Sequence, residues 1–216
     1  MCLTHILTAM IKIKNLRIVS LAAMMAVATS AIASDSSPAY NFLNIPSSAR
    51  VYGLGGVNIS NIDDDINSVD QNPALLGPEF DMQIGVNYMR YIADANFAGV
   101  KFGTRASDHG AWAVGLQYYG YGSITGTDEI GNLTGDFSPK DLNIHGLYSH
   151  DITDRLRGGI ALKFLYSSYG DFSAFAVATD LGINYYDPDR DLSLSAVIAN
   201  LGGQVKRFRD RYDRLP

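Results

Sequence analysis

Trp112-Ala113-Val114-Gly115-Leu116-Gln117-Tyr118 is the stretch that decides the fold. Large apolar side chains stand at every second position, with small or polar ones between them. A strand turns successive side chains to opposite faces, so this spacing predicts a β-strand with two unlike faces. A helix would need its apolar positions three and four apart. Outward along the chain, the same alternation occupies Met82-Gln83-Ile84-Gly85-Val86-Asn87-Tyr88. Its recurrence predicts seven strands, near 82–91, 96–103, 111–119, 141–149, 156–167, 174–186 and 191–200.

The large-residue phase follows even positions in 82–88, 98–102, 112–118, 142–148, 156–166 and 192–198, and odd positions in 175–185. Apart from Gly146, Gly158 and Thr179, these residues are apolar or Tyr, and none is charged. The opposite phase carries Lys101, Arg157, Lys163 and Asp180, the polar Asn87, Gln117, Asn143 and His145, and many Gly and Ala. Two architectures bury such a pattern. In a soluble β-sandwich the large phase faces a core. In an antiparallel transmembrane β-barrel it faces lipid, where a mid-bilayer Arg or Lys costs roughly 2–4 kcal/mol.

Three features favour the barrel. Most strands are about ten residues long, which suits a tilted membrane strand. Tyr91, Tyr118, Tyr119, Tyr121, Tyr148, Tyr166, Tyr169, Tyr185 and Tyr186 fall at strand ends, as interfacial girdles do. Charged residues are only 18% of the chain, below the roughly 25% of soluble domains.

An export signal over residues 1–33 adds to these three. Lys12, Lys14 and Arg17 precede the apolar run Ile18 to Ile32, and Ala31-Ile32-Ala33 is a small-x-small cleavage site before Ser34. That run is shorter than the ~20 residues of a spanning helix. Cleavage removes three basic residues and no acidic ones, taking the formal net charge from −5 to −8. Such an acidic chain is a poor partner for nucleic acid. The sole cysteine, Cys2, lies in the removed segment, so neither a disulfide nor a thiol nucleophile is expected.

Residues 34–80 are different in kind. Pro38, Pro46, Pro73 and Pro78, the glycines Gly53, Gly55 and Gly56, and the run Asp63-Asp64-Asp65 predict loops and one short helix, with Asp63 as a candidate cap. Residues 81–216 hold the strands. The Gly-rich stretch from Gly120 to Lys140 is the longest connection, which places it outside the cell. The segments 104–110, 150–155 and 187–190 then become periplasmic turns. Seven strands do not close a bacterial single-chain barrel, which takes an even number. The chain also finishes in the basic stretch 206–216 with no terminal strand. The expectation is therefore an incomplete barrel, the N-terminal portion of a longer one.

No Ser-x-x-Lys, Gly-x-Ser-x-Gly or His-Glu-x-x-His signature occurs, and no catalytic residue, cofactor site or metal site is assigned. His109 and His150 fall in turns and His145 on the inner phase, too scattered for a shared metal. A calcium loop starting at Asp63 would need Gly at 68 and Glu at 74, where Ser68 and Ala74 stand. A hydrogen-bonded turn is the expectation for the acidic run, with a cation site of another kind that includes Asp70 as the alternative. Lys206, Arg207 and Arg209 are candidates to meet lipopolysaccharide phosphates.

Two strings carry a resemblance. One is Tyr40-Asn41-Phe42-Leu43-Asn44-Ile45-Pro46-Ser47-Ser48-Ala49-Arg50, running into Leu54-Gly55-Gly56. The other is Gln71-Asn72-Pro73-Ala74-Leu75-Leu76, after the acidic run and before Asn87-Tyr88-Met89. From about Tyr40 onward the chain resembles the N-terminal part of PorQ-like proteins. These are outer-membrane β-barrel components of the type IX secretion system of Bacteroidota, in a group similar to FadL-type transporters. The resemblance implies a hatch over 34–80 and the first half of a FadL-like barrel over 81–216. It implies a scaffold without enzymatic activity in the complex that processes secreted cargo at the cell surface. The implied partners are a PorZ-like surface protein, the sortase PorU, the shuttle PorV, and outer-membrane lipid and lipopolysaccharide. The alternative is a FadL-like transporter of hydrophobic molecules.

Overall fold

The computed structural model describes residues 40–91, 94–127, 130, 132–170 and 172–206. The expected export signal and the basic residues after Lys206 lie outside the described residues.

The alternating segments form β1 (Gln83–Arg90), β2 (Asn96–Ser107), β3 (Gly110–Gly120), β4 (Ile124–Thr127), β5 (Leu133–Phe137), β6 (Lys140–Thr153), β7 (Leu156–Tyr169), β8 (Phe172–Asp187) and β9 (Leu192–Lys206). Seven of them make one antiparallel sheet in the order β1-β2-β3-β6-β7-β8-β9, with β1 and β9 at its open edges. All its ladders are antiparallel meander pairings, the simplest solution when successive strands are joined by tight turns. The β2–β3 and β6–β7 connections turn on Asp108-His109 and Asp154-Arg155. The Asp187-Pro188 turn before β9 ends on Asp191 at φ 49°, a left-handed conformation that Asp tolerates.

The expected strands are all present, with β2 and β6 each running four residues past their expected ends into the segments 104–110 and 150–155 that were expected to be turns, and two further features differ from expectation. The stretch 120–140 is not wholly loop, because β4 and β5 pair there as a separate hairpin. Their four and five residues include Gly126 and Gly135, which sit opposite each other, so no apolar alternation marks them in the sequence. The last strand does not stop at residue 200 but continues to Lys206. Its register shifts where Leu181 faces Ile198 and Thr179 faces Leu201, so Ala199 and Asn200 together oppose Asp180. This is a β-bulge, and Asn200 occupies it with φ 56°. One extra residue moves the large side chains from even to odd positions, and Leu201 and Val205 become the outward ones. A period-two count ends where the phase inverts.

The two faces of the sheet are unlike. Trp112, Val114, Leu116, Ile144, Ile160, Leu162 and Phe164 remain exposed on the outward face. Charge enters that phase only near strand ends, as at Arg90 and Lys140. The inner face is covered by the segment Tyr40–Phe80. That segment contains α1 (Ala49–Gly53) and 3-10 turns at Asn41–Asn44, Ile66–Gln71 and Pro73–Leu75. Asp65, rather than Asp63, caps the second of these turns: its Oδ1 accepts from Asn67 N at 2.9 Å. Asp63 instead pairs with Arg50 at 2.7 Å.

Small residues on the inner phase leave room for this segment. Ile66, Val69, Leu75, Leu76 and Phe80 pack on Ala111, Ala113, Leu147 and Ala161. Tyr40 and Phe42 pack on Phe97, Tyr119, Leu165, Ala174 and Ala176, with the Phe42 and Tyr119 rings 4.9 Å apart. Burying each of Ile66, Val69, Leu76 and Phe80 contributes roughly 1.5–3 kcal/mol.

The Asn-Pro-Ala element crosses the sheet over two glycines. A Cβ at Gly159 would overlap the backbone of Pro73 and Ala74, and one at Gly182 would overlap the Asn72 amide. Gly159→Val is therefore expected to lift the segment at a cost of about 1–3 kcal/mol. Gly146→Ala, whose new methyl would meet nothing closer than 4.0 Å, is expected to be neutral. Tryptic cleavage after Arg50, compared between the two variants, checks this.

Candidate functional site

The functional candidate is the interior formed where the N-terminal segment docks on the inner face. Strand register builds one side of it. Lys101 is opposite Gly115, Gly115 opposite His145, and His145 opposite Lys163, so these four form a row across β2, β3, β6 and β7. Gln117 is opposite Asn143 in the neighbouring row. Gly115 is small because the His145 ring lies over it: a Cβ there would overlap the imidazole.

The 3-10 turn Ile66–Gln71 supplies the other side. Ile66 and Val69 anchor it in the apolar core, and Asp70 enters the row. The Asp70 carboxylate pairs with the Lys101 ammonium and accepts from the Ser47 hydroxyl. It also accepts from Gln117 Nε2 at 2.9 Å and lies 3.3 Å from His145 Nε2. Lys101 additionally donates to the Ile66 carbonyl at 3.3 Å. Burial by itself would raise the Asp70 pKa, but Lys101 and His145 beside it hold the carboxyl well below the usual carboxylate range. A second pair, Lys163 with Asp180 at 2.5 Å, is tied to the bulge. Asn200 N donates to Asp180 at 2.7 Å, and Lys163 donates to Asn200 Oδ1 at 3.1 Å.

A cleft of about 310 Å³ opens beside these groups. Its polar wall includes Asn143, His145 and Lys163, and its apolar wall includes Leu43, Ile45 and Ile59.

The sequence placed Lys101, Gln117, Asn143, His145, Lys163 and Asp180 on the inner phase, and the structure brings them together. It offered Asp70 only as a member of the alternative cation site and gave Ser47 no role. The available signal was Lys101 itself, a cation on a covered face, which needs a carboxylate partner from elsewhere in the chain. His109 lies in the β2–β3 turn and His150 is exposed on β6. Among the described residues, no group of three or more His, Cys, Asp or Glu side chains is placed to hold a metal ion. In the acidic run, Asp65 is occupied by Ser48 and Asn67.

Ser47, Asp70 and His145 do not have the order of a nucleophilic triad. In that chemistry the serine gives its proton to imidazole, which a carboxylate orients from the far side. Here the serine hydroxyl and the imidazole both turn to the one carboxylate. The arrangement acts as an ionic clamp.

Fold and interior together define a class: an open antiparallel meander, apolar outward and ionic inward, with an N-terminal segment docked on the ionic face. Among the described residues no helix is long and apolar enough to cross a membrane. No protein-family model matches the chain, and no curated protein matches it.

Proposed function

We propose that this chain is part of an outer-membrane β-barrel that serves as a scaffold in the type IX secretion system. The observation that carries the membrane part is the outward face, apolar and uncharged across seven strands except near their ends. A water-facing surface of that kind is a liability, whereas lipid requires it. Ions buried inward, beneath a docked segment, fit the interior of a plugged barrel. On this reading further strands join β1 and β9, since lipid does not tolerate open edges. The tight turns after β2, β6 and β8 face the periplasm, and the β4–β5 hairpin stands outside the cell.

The scaffold role rests on the PorQ-like resemblance, whose two strings lie in the docked segment. The barrel then holds a PorZ-like protein at the surface, beside PorU and PorV, and carries no catalysis of its own. In a strain lacking the whole gene, exported cargo and the PorZ-like protein are expected to leave the cell surface. Normal surface display would overturn the scaffold role. Recovery of the protein in the soluble fraction without detergent would overturn the membrane role. One observation favours a second reading, a FadL-like transporter of hydrophobic molecules: the cleft has an apolar wall of Leu43, Ile45, Val57 and Ile59.

A further inference from the structure

We propose that Lys140, Ser168, Ser173 and Lys206 form a site on the outward face that binds the phosphate group of an outer-leaflet lipid. The inference rests on the membrane reading above and concerns the face opposite the ionic interior.

Strand register builds the site. Lys140 is opposite Ser168, Ser168 is opposite Ser173, and Lys206 is opposite Phe175. Directly opposed residues share a face, as do residues two apart on one strand. Lys140 stands two before Leu142, Ser168 two after Tyr166 and Ser173 two before Phe175, all of the outward phase. The four polar residues therefore belong to the outward face. Lys206 Nζ donates to Ser173 Oγ at 2.7 Å, so its side chain leans over β8. The group lies at the end of the sheet that carries β4–β5, away from the tight turns after β2, β6 and β8. On the membrane reading this end is the outer rim.

The rows beneath grade from aromatic to aliphatic. Tyr118, Leu142, Tyr166 and Phe175 oppose one another in turn, and below them Leu116, Ile144, Phe164 and Val177 do the same. The Tyr118 hydroxyl rises to the level of Lys140: a Cβ at Gly120, the residue opposite Lys140, would meet it at 3.1 Å. Cations above an aromatic row above an aliphatic face follow the order of headgroup, interface and acyl chains in a leaflet.

Charge selects the headgroup. The inward Lys101 and Lys163 each have a carboxylate, Asp70 and Asp180. Lys140 and Lys206 have none among the described residues. Arg90, also on the outward phase at a strand end, is paired with Asp94 at 2.6 Å. Asp141, beside Lys140 in the chain, turns inward and accepts from the Tyr121 and Tyr169 hydroxyls. Two unpaired cations flanking two hydroxyls suit an anion that accepts several hydrogen bonds, as phosphate does. Strands β6 and β8 are about 10 Å apart, a gap that one phosphate bridges between Lys140 and the Lys206 ammonium held at Ser173. The apolar rows below seat acyl chains, which commits the site to a lipid phosphate. Arg207 and Arg209 lie outside the described residues and are no part of the site.

The test uses the full-length protein in lauryldimethylamine oxide, a detergent without phosphate. Native mass spectrometry and calorimetry are run with lipid A, enzymatically dephosphorylated lipid A and inorganic phosphate as probes. Lipid A is expected to bind about 10-fold or more tightly than its dephosphorylated form, and inorganic phosphate far more weakly than lipid A. Lys140→Gln combined with Lys206→Gln is expected to weaken lipid A binding about 10- to 30-fold. Both lysines are exposed, so heat-modifiable mobility and the affinity for the dephosphorylated lipid should not change. Lys140→Arg with Lys206→Arg should keep the binding, and Arg90→Gln should leave it unaltered. Equal affinity for the two lipids, unchanged affinity in the double glutamine variant, an equal loss in Arg90→Gln, or inorganic phosphate binding as tightly as lipid A would each overturn the site and leave the membrane reading standing. A protein recovered without detergent would overturn both.

Discussion

Asp70→Asn is expected to destabilise the docked segment by about 3–5 kcal/mol, the usual consequence of removing one partner from a buried ion pair. The asparagine can still bond Ser47 and Gln117, so the loss isolates the charge. Lys101, 2% exposed, is left as an uncompensated cation among Ile66, Gly115 and His145. Trypsin should then cut after Arg50 far faster than in the parent protein. Lys101→Met in the Asp70→Asn background removes the stranded charge and is expected to restore most of the protection. If the double variant is as fragile as the single one, the clamp is not the cause. The pH dependence has a definite sign. The folded-state pKa of Asp70 lies below its unfolded value, so ionisation favours the docked state. The contribution is fully present above about pH 4, the unfolded range, and is lost as pH falls through the folded value. Asp70→Asn should flatten this acid limb of a protection-against-pH curve.

Leu116→Arg is expected to cost about 2–4 kcal/mol in the assembled membrane protein, because Leu116 lies at the middle of β3 on the outward face. Its ladder neighbours on that face, Val100 and Ile144, are apolar and exposed as well. In water the same change at an exposed position would lie within about 0.5 kcal/mol of neutral. The two environments therefore give different outcomes for one substitution. Val205→Arg, near the end of β9, should cost only about 0–1 kcal/mol. The measurement is the yield of folded, heat-modifiable protein in the membrane fraction. Equal yields for Leu116→Arg and the parent would remove the lipid-facing assignment.

Much of the sheet was legible because alternation is a local property. Trp112 to Tyr118 names a strand and both its faces without any knowledge of neighbours. The bulge at Asn200 was not legible, since its cause is a hydrogen bond to Asp180 on the adjacent strand. The β4–β5 hairpin was hidden for another reason: it covers no core and so needs no apolar period. The site was half legible. Its strand-borne members all sat on the inner phase, while Asp70 and Ser47 come from a segment with no period to follow.

What the sequence determined by itself is the two-faced antiparallel sheet and the separate character of residues 34–80, because strand pleat and turn chemistry act over a few residues. Only the tertiary structure decided that Asp70, rather than the Asp63-Asp64-Asp65 run, meets Lys101 and His145, and that Asn72-Pro73-Ala74 rests on Gly159 and Gly182. Those choices compare contacts between residues tens of positions apart. They are settled by which buried charge finds a partner and which backbone can approach, and neither is written in any one stretch of the chain.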